Sequence, residues 1–352
     1  MIQVNMKKIV NKIIRLILKV YNRLYFKNIE IIGRENIPDN GAILFSPNHQ
    51  NALLDPILVG TTCQKSVYSL TRSDVFNGPL KWLLSAMQTL PIYRIRDGFE
   101  QLKKNNAIFE QCYSLLKNKK HMMMFSEGKH HDQYYLLRLS KGSSRLVLEA
   151  QTRASHTIYL QPVGINYGHF TKAGHHCKVV YGKPINVSNY LTSYKINKPK
   201  TINQLREVLQ LAMEDCLWIP KNEANYNLKK NFINKHNTRL PFIQFKKELN
   251  QDPIQLIPNK TPSKHQKLII WSLGLINFPV YLAIKKGMKK FDDHVFHGTV
   301  NYLGGLILFP LWWLIGFFVL CFTLTTFWGL GFFILSLITH IIRINYQGAF
   351  KY

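Results

Sequence analysis

A histidine and an aspartate stand six positions apart in the segment NHQNALLD, as His49 and Asp55. A carboxylate beside an imidazole orients the ring and stabilises its charged form, which equips such a pair for general-base chemistry near neutral pH. On one continuous helix, residues six apart point about 240° away from each other. The two side chains therefore meet only if His49 lies in a loop and Asp55 on the helix that follows, and Pro47 provides the break. Taken alone, the pair also fits capping or packing. Other reactive residues suggest less. Cys63, Cys112, Cys177, Cys216 and Cys321 form no CxxC pair and are odd in number, which argues against a zinc ribbon or a disulfide framework and for a reducing environment. His130, His131 and Asp132 are adjacent in a polar stretch with no further ligands clearly spaced, so no metal site is expected there.

The elements that must position these residues follow from periodicity. Candidate strands lie at IEIIG (29–33), AILF (42–45), SVYSL (66–70), MMMF (122–125), TIYLQPV (157–163) and CKVVYG (177–182). Helical stretches fall near 78–88, 98–118, 142–153 and 201–217. The alternation predicts an α/β fold, a mixed sheet flanked by helices, over residues 28–220. Ahead of it, residues 1–27 read as a basic amphipathic helix, with Ile9, Ile13, Ile17, Val20 and Leu24 among its apolar positions and Lys8, Lys12, Arg15, Lys19 and Arg23 between them. Such a helix suits both the chain's own core and an anionic membrane interface. The recurring charges also exclude a continuous apolar signal-peptide core.

Residues 221–267 are polar and rich in Asn, Lys and Pro, which suggests a linker or a loosely packed insertion. Residues 268–352 read as a membrane region. Tyr302 to Ile342 carries no Asp, Glu, Lys or Arg, and about 40 such residues suffice for two spans of ~20 each, a helical hairpin over 302–342 turning near Thr323 to Thr326. Leu268 to Ile284 is short for a span and contains Asn277 and Pro279, so it is expected to be re-entrant or interfacial. Lys264, Lys267, Lys285, Lys286, Lys289, Lys290 and Arg343 flank these segments, and the positive-inside rule puts them, with the α/β unit, on the cytoplasmic face.

Three further segments occur in order after NHQNALLD: PIYR (91–94), FSEG (125–128) and LQPVGINY (160–167). In this combination the sequence resembles the glycerol-phosphate and lysophosphatidate acyltransferase family, whose blocks are an H-x4-D motif, a block ending in Arg, an FPEG-type block and a Pro-containing hydrophobic block. The resemblance covers about residues 29 to 185. Five residues rather than four separate His49 from Asp55, and Ser126 stands where the family has Pro. The resemblance implies that His49 takes the proton of a substrate hydroxyl while Asp55 holds the ring, and that Arg94 binds the acceptor's phosphate, a task suited to a planar guanidinium. It further implies that Glu127 and Gly128 shape the acceptor site, with the carboxylate accepting from a glycerol hydroxyl. Lys129, His130 and His131 keep basic side chains where the family often has Thr and Arg. Lys141 and Gly142 open a predicted helix whose N-terminus could hold an anion.

With 46 Lys and Arg against 19 Asp and Glu, the formal charge is +27, which calls for an anionic partner. The implied activity supplies one: a fatty acyl group moves from acyl-CoA or acyl-carrier protein to the hydroxyl of glycerol-3-phosphate or 1-acylglycerol-3-phosphate in phospholipid biosynthesis, with membrane lipids as partners and no cofactor or metal. Another lysolipid acceptor, such as a lysoaminolipid, and a non-catalytic basic membrane adaptor are the alternatives. Nucleic acid is not expected as a partner, because no basic repeat with interleaved aromatics appears outside the amphipathic and linker regions.

Overall fold

A computed structural model describes residues 2–76, 81–93, 99–233, 237–254 and 262–347. The chain opens with helix α1 (Ile2–Tyr25), then runs through β1 (Asn28–Ile32), β2 (Ala42–Pro47), α2 (Leu54–Thr62), β3 (Val67–Arg72), α3 (Lys81–Ala86), β4 (Thr89–Ile92), α4 (Phe99–Lys117) and β5 (His121–Met123). It continues with α5 (Gly142–Arg153), β6 (Ile158–Tyr167), β7 (His176–Tyr181), β8 (Ile185–Asn186), α6 (Leu191–Ile196) and α7 (Lys198–Asp215). Six helices complete it: α8 (Tyr226–Phe232), α9 (Phe242–Leu249), α10 (Lys264–Ser272), α11 (Phe278–Met288), α12 (Val295–Thr323) and α13 (Thr326–Gln347).

The strands form one mixed sheet in the order β1-β7-β6-β2-β5-β3-β4, with β8 paired to β6. The pairs β2 with β5, β2 with β6 and β3 with β5 are parallel, whereas β6 and β7 run antiparallel. Central β2 is buried along its whole length, as the apolar run AILF requires of a strand covered on both faces. Its side chains alternate between two cores. Leu44 joins Met122 and Leu160 beneath α4, α5 and α7, while Ile43 and Phe45 join Val163, Ile165 and Tyr181 beneath α1 and α2. Helix α7 starts where Asn197 caps it, accepting the Lys200 N–H at 3.1 Å, with a proline in the first turn.

The predicted α/β sheet flanked by helices is the architecture observed. Two strands escape the sequence pattern: β4 is short and contains Pro91, and β8 has two residues. Residues 221–254 differ from the polar linker that composition suggests. Helices α8 and α9 bury Phe232, Phe242, Phe245 and Leu249 against Trp218 and Val180, and the Trp218 and Phe245 rings stack with centroids 4.5 Å apart. Helix α1 turns one face to the core and leaves another uncovered. Leu18 and Tyr25 enter the core, whereas Ile9, Ile13, Leu16, Val20 and Leu24 leave an apolar stripe exposed beside its basic residues.

Helices α12 and α13 are 29 and 22 residues long with mean hydropathy 2.3 and 1.7, long and apolar enough to cross a membrane, and most of their surface is uncovered. They are joined by a turn at Leu324 and Thr325, where Thr323 to Thr326 was the expected break. Helices α10 and α11, 9 and 11 residues long, are each too short to cross. Their contacts run down the hairpin and back. Arg343 donates to the Ile270 carbonyl, Asn277 donates to the Ser336 carbonyl and accepts from the Trp313 indole at 2.8 Å, and Ile284 then packs against Phe309.

Candidate active site

Strand β2 ends at Pro47, and the loop from Asn48 to Leu53 carries the chain from the carboxyl edge of the sheet to α2. His49 lies in that loop and Asp55 in the first turn of α2. The extra residue between them is taken up by a turn in which Ala52 has φ 32°, a conformation that L-residues rarely adopt. The geometry lets the two side chains meet: His49 Nδ1 lies 2.8 Å from Asp55 Oδ2.

Asp55 is fully buried and surrounded by donors. Its Oδ2 also accepts the backbone N–H of Gln50 at 2.9 Å and of Asn51 at 2.8 Å, and its Oδ1 accepts the Tyr167 hydroxyl at 2.7 Å. An acceptor-only carboxylate is the group that satisfies four donors. Tyr167 stays a phenol able to donate, because burial above all, and then the Asp55 charge, push its ionisation well above the usual tyrosine range. With Nδ1–H turned to Asp55, the lone pair of His49 is on Nε2, the nitrogen left for a substrate. The imidazole stacks on Phe125 with centroids 4.0 Å apart and remains 17% exposed.

Two neighbouring segments hold the loop. Asn48 pairs with the backbone of Ile165 in β6, its Oδ1 accepting at 2.7 Å and its Nδ2 donating at 3.0 Å. Glu127 Oε1 accepts the His49 backbone N–H at 2.7 Å, while Oε2 accepts from Leu137 N–H and bonds His131 Nε2, both at 2.9 Å. The apolar helix α12 closes one side. Its Thr299 hydroxyl accepts the Leu53 N–H at 3.2 Å, and Gly298 passes so close that an added Cβ would lie 2.3 Å from Asn51 Oδ1. His130 Nε2 bonds Asp293 Oδ2 at 3.0 Å just before α12, and the His130 ring meets His49 edge-on at 5.6 Å.

The loop, its buttresses and their strands fall almost wholly within residues 28–166, the segment that matches the family model described as Acyltransferase. This segment is an acyltransferase domain. The 1-acyl-sn-glycerophosphate (LPA) acyltransferase PlsC from Thermotoga maritima is similar in structure at TM-score 0.46 and 16% identity, over 61% of this chain and 81% of that chain. No curated protein matches the chain significantly.

Within the acyltransferase domain the expected site residues part company. His49, Asp55 and Glu127 come together, and the Glu127 side chain is fully buried, with both oxygens committed to protein partners in the loop, at Leu137 and at His131. Gly128 occupies an exposed turn at φ 73°, where its lack of a Cβ relieves the backbone, and Lys129 is exposed beside it. Lys141 caps α5 and lines a different cavity with Arg145, Glu110 and Glu149, which contains none of His49, Asp55 or Glu127. Arg94 lies outside the described residues. His130 and His131 bond separate carboxylates instead of converging on one point. Ser126, in place of proline, joins a buried hydroxyl chain with Ser46 and Ser143 that ties β2 to α5.

Sequence reasoning missed Asn48, Tyr167 and Gly298. Asn48 and Tyr167 lie inside the motif blocks, yet each acts on a partner more than 100 positions away. Nothing local marks Gly298 as a neighbour of Asn51.

Proposed function

We propose that the enzyme transfers a fatty acyl group from a thioester donor, acyl-CoA or acyl-carrier protein, to the hydroxyl of a glycerol-3-phosphate-type acceptor at a membrane surface. The observation that carries this reading is the His49 and Asp55 pair, held rigidly with one imidazole nitrogen uncommitted. His49 Nε2 takes the hydroxyl proton as the acceptor oxygen attacks the thioester carbonyl. The C–S bond then breaks, and the leaving thiolate is protonated, with the imidazolium stabilised meanwhile by Asp55. No acyl-enzyme is needed. Leu53, in the same turn, lines an apolar cavity with Leu18, Ile57, Met87 and Met123, a wall chemically suited to an acyl chain.

The membrane setting rests on exposed apolar surface. The stripe on α1, the outer faces of α12 and α13, and Leu268, Trp271 and Phe278 on the two short helices are uncovered apolar surface of the kind that marks a membrane or partner contact. In this reading α12 and α13 cross the bilayer, α10 and α11 dip in and return, and the flanking lysines hold the catalytic unit on the cytoplasmic leaflet, each contributing about 1 kcal/mol near an anionic surface. Phosphorylated acceptor and acyl donor are both anionic, in keeping with the +27 charge. The altered FSEGK block gives no support to a different acceptor, since Ser126 is buried in the hydroxyl chain and Glu127 in the loop. The decisive test is His49→Ala in purified enzyme with labelled acyl donor and a panel of lysolipids. Acyl transfer should be abolished with membrane binding intact, and retained turnover would refute the base assignment.

A further inference from the structure

A cavity of about 670 Å³ opens where α1 and the β6–β7 connection meet α10, α11, α12 and α13. It shares no lining residue with the His49 loop. Its wall is mainly apolar, with Tyr25, Ile270, Trp271, Phe309 and Ile344 contributing. Four cations stand in the same wall, Lys172, Lys267, Lys285 and Arg343, and no carboxylate among the described residues lines it. Arg343 is held in place: its Nε donates to the Ile270 carbonyl at 3.1 Å, and its guanidinium lies 3.8 Å from the Tyr281 ring centroid. The terminal NH2 groups of a guanidinium fixed in this way form a pre-oriented fork for a phosphate.

The position of the cavity selects the ligand. It sits at the end of the hairpin that adjoins the catalytic unit, where Lys27 donates to Asn345 and Tyr302 donates to Asn22, whereas Phe322, Phe327 and Trp328 are exposed at the far end. For a hairpin inserted in a bilayer, that is headgroup depth. A small soluble anion would neutralise the cations and leave the apolar wall in water. A neutral lipid would cover the wall and bring no anionic group to Lys267, Lys285 and Arg343. We propose that the cavity holds an anionic glycerophospholipid, with its phosphate among Lys172, Lys267, Lys285 and Arg343 and its acyl chains along Trp271 and Phe309. This lipid is distinct from the acyl acceptor and joins the catalytic unit to the apolar helices.

The inference rests on the membrane setting proposed above but not on acyl transfer, so its test reads binding. Full-length enzyme in neutral detergent is titrated with phosphatidylglycerol, with phosphatidylcholine of the same chains and with inorganic phosphate, and bound lipid is counted by native mass spectrometry. Phosphatidylglycerol should saturate at one molecule per chain and bind about tenfold or more tightly than phosphatidylcholine. Lys267→Gln with Lys285→Gln should weaken it about tenfold or more, and the same two positions changed to Arg should restore it. Lys117→Gln with Lys120→Gln, exposed and outside the cavity, should leave binding unchanged. The proposal is overturned if the cavity pair has no effect, if the outside pair weakens binding equally, or if inorganic phosphate displaces the lipid. Alkaline extraction of cell membranes separates the two levels. A chain released by it would remove the membrane setting and the lipid site together, whereas a chain that stays inserted without retaining phosphatidylglycerol removes the lipid site alone.

Discussion

The oxygens of Asp55 face three N–H groups and a hydroxyl, so an amide in that place would turn donors toward donors. Asp55→Asn should therefore lower kcat by about 10²–10⁴, the usual worth of a positioned general base, without releasing the protein from membranes. A loss smaller than about tenfold in initial-rate assays would show that the ring does not depend on its orientation by Asp55. Glu127 makes a different claim. Because it holds the loop rather than a substrate, Glu127→Gln should lower kcat and leave KM for donor and acceptor unchanged, the signature of an effect on positioning. A raised KM at constant kcat would return Glu127 to the acceptor site. At this scale the sequence disclosed that His49 and Asp55 pair and that a loop must separate them, since spacing and residue type determine both. It did not reveal which way the Glu127 carboxylate turns, because Leu137 and His131, which claim one of its oxygens, are recruited by the path of the loop beyond it.

Periodicity made most of the sheet readable, because buried parallel strands leave short apolar runs that composition alone exposes. It failed on residues 221–254, where scattered aromatics lie among Asn and Lys and no repeat of 2.0 or 3.6 stands out. Those aromatics nevertheless converge: Phe245 is fully buried against Trp218 and Phe232, while Ile243 two positions away is 79% exposed. Phe245→Ala should cost about 3–5 kcal/mol in thermal or denaturant unfolding, the cost of a large cavity. Ile243→Ala should stay within about 0.5 kcal/mol. Equal, small effects at both positions would make this segment the loosely packed insertion that its composition suggests. The core it completes covers Val180 on β7, whose neighbour β6 carries Ile165 and Tyr167 to the loop, so the segment supports the site at one remove.

Taken whole, the molecule brings an apolar hairpin and the His49 loop into direct contact, a juxtaposition that two local patterns nearly 250 positions apart cannot disclose. Helix α12 meets the loop at Gly298, where a Cβ would lie 2.6 Å from the Phe170 carbonyl oxygen as well as 2.3 Å from Asn51 Oδ1. The Phe170 carbonyl accepts from Nδ2 of the same Asn51 amide, and the Asn51 backbone N–H donates to Asp55. Even a methyl group must therefore displace either the helix or the loop. Gly331 on α13 is the matched control, because a Cβ there meets nothing within 4 Å and alanine is the better helix former by about 1 kcal/mol. Gly298→Ala should reduce acyl transfer by about tenfold or more while the chain remains membrane-bound, and Gly331→Ala should leave activity unchanged. The same loss at both positions would mean that the hairpin acts only as an anchor. Full activity in Gly298→Ala would mean that α12 yields to the loop, and that the acyltransferase domain keeps its geometry without support from that helix.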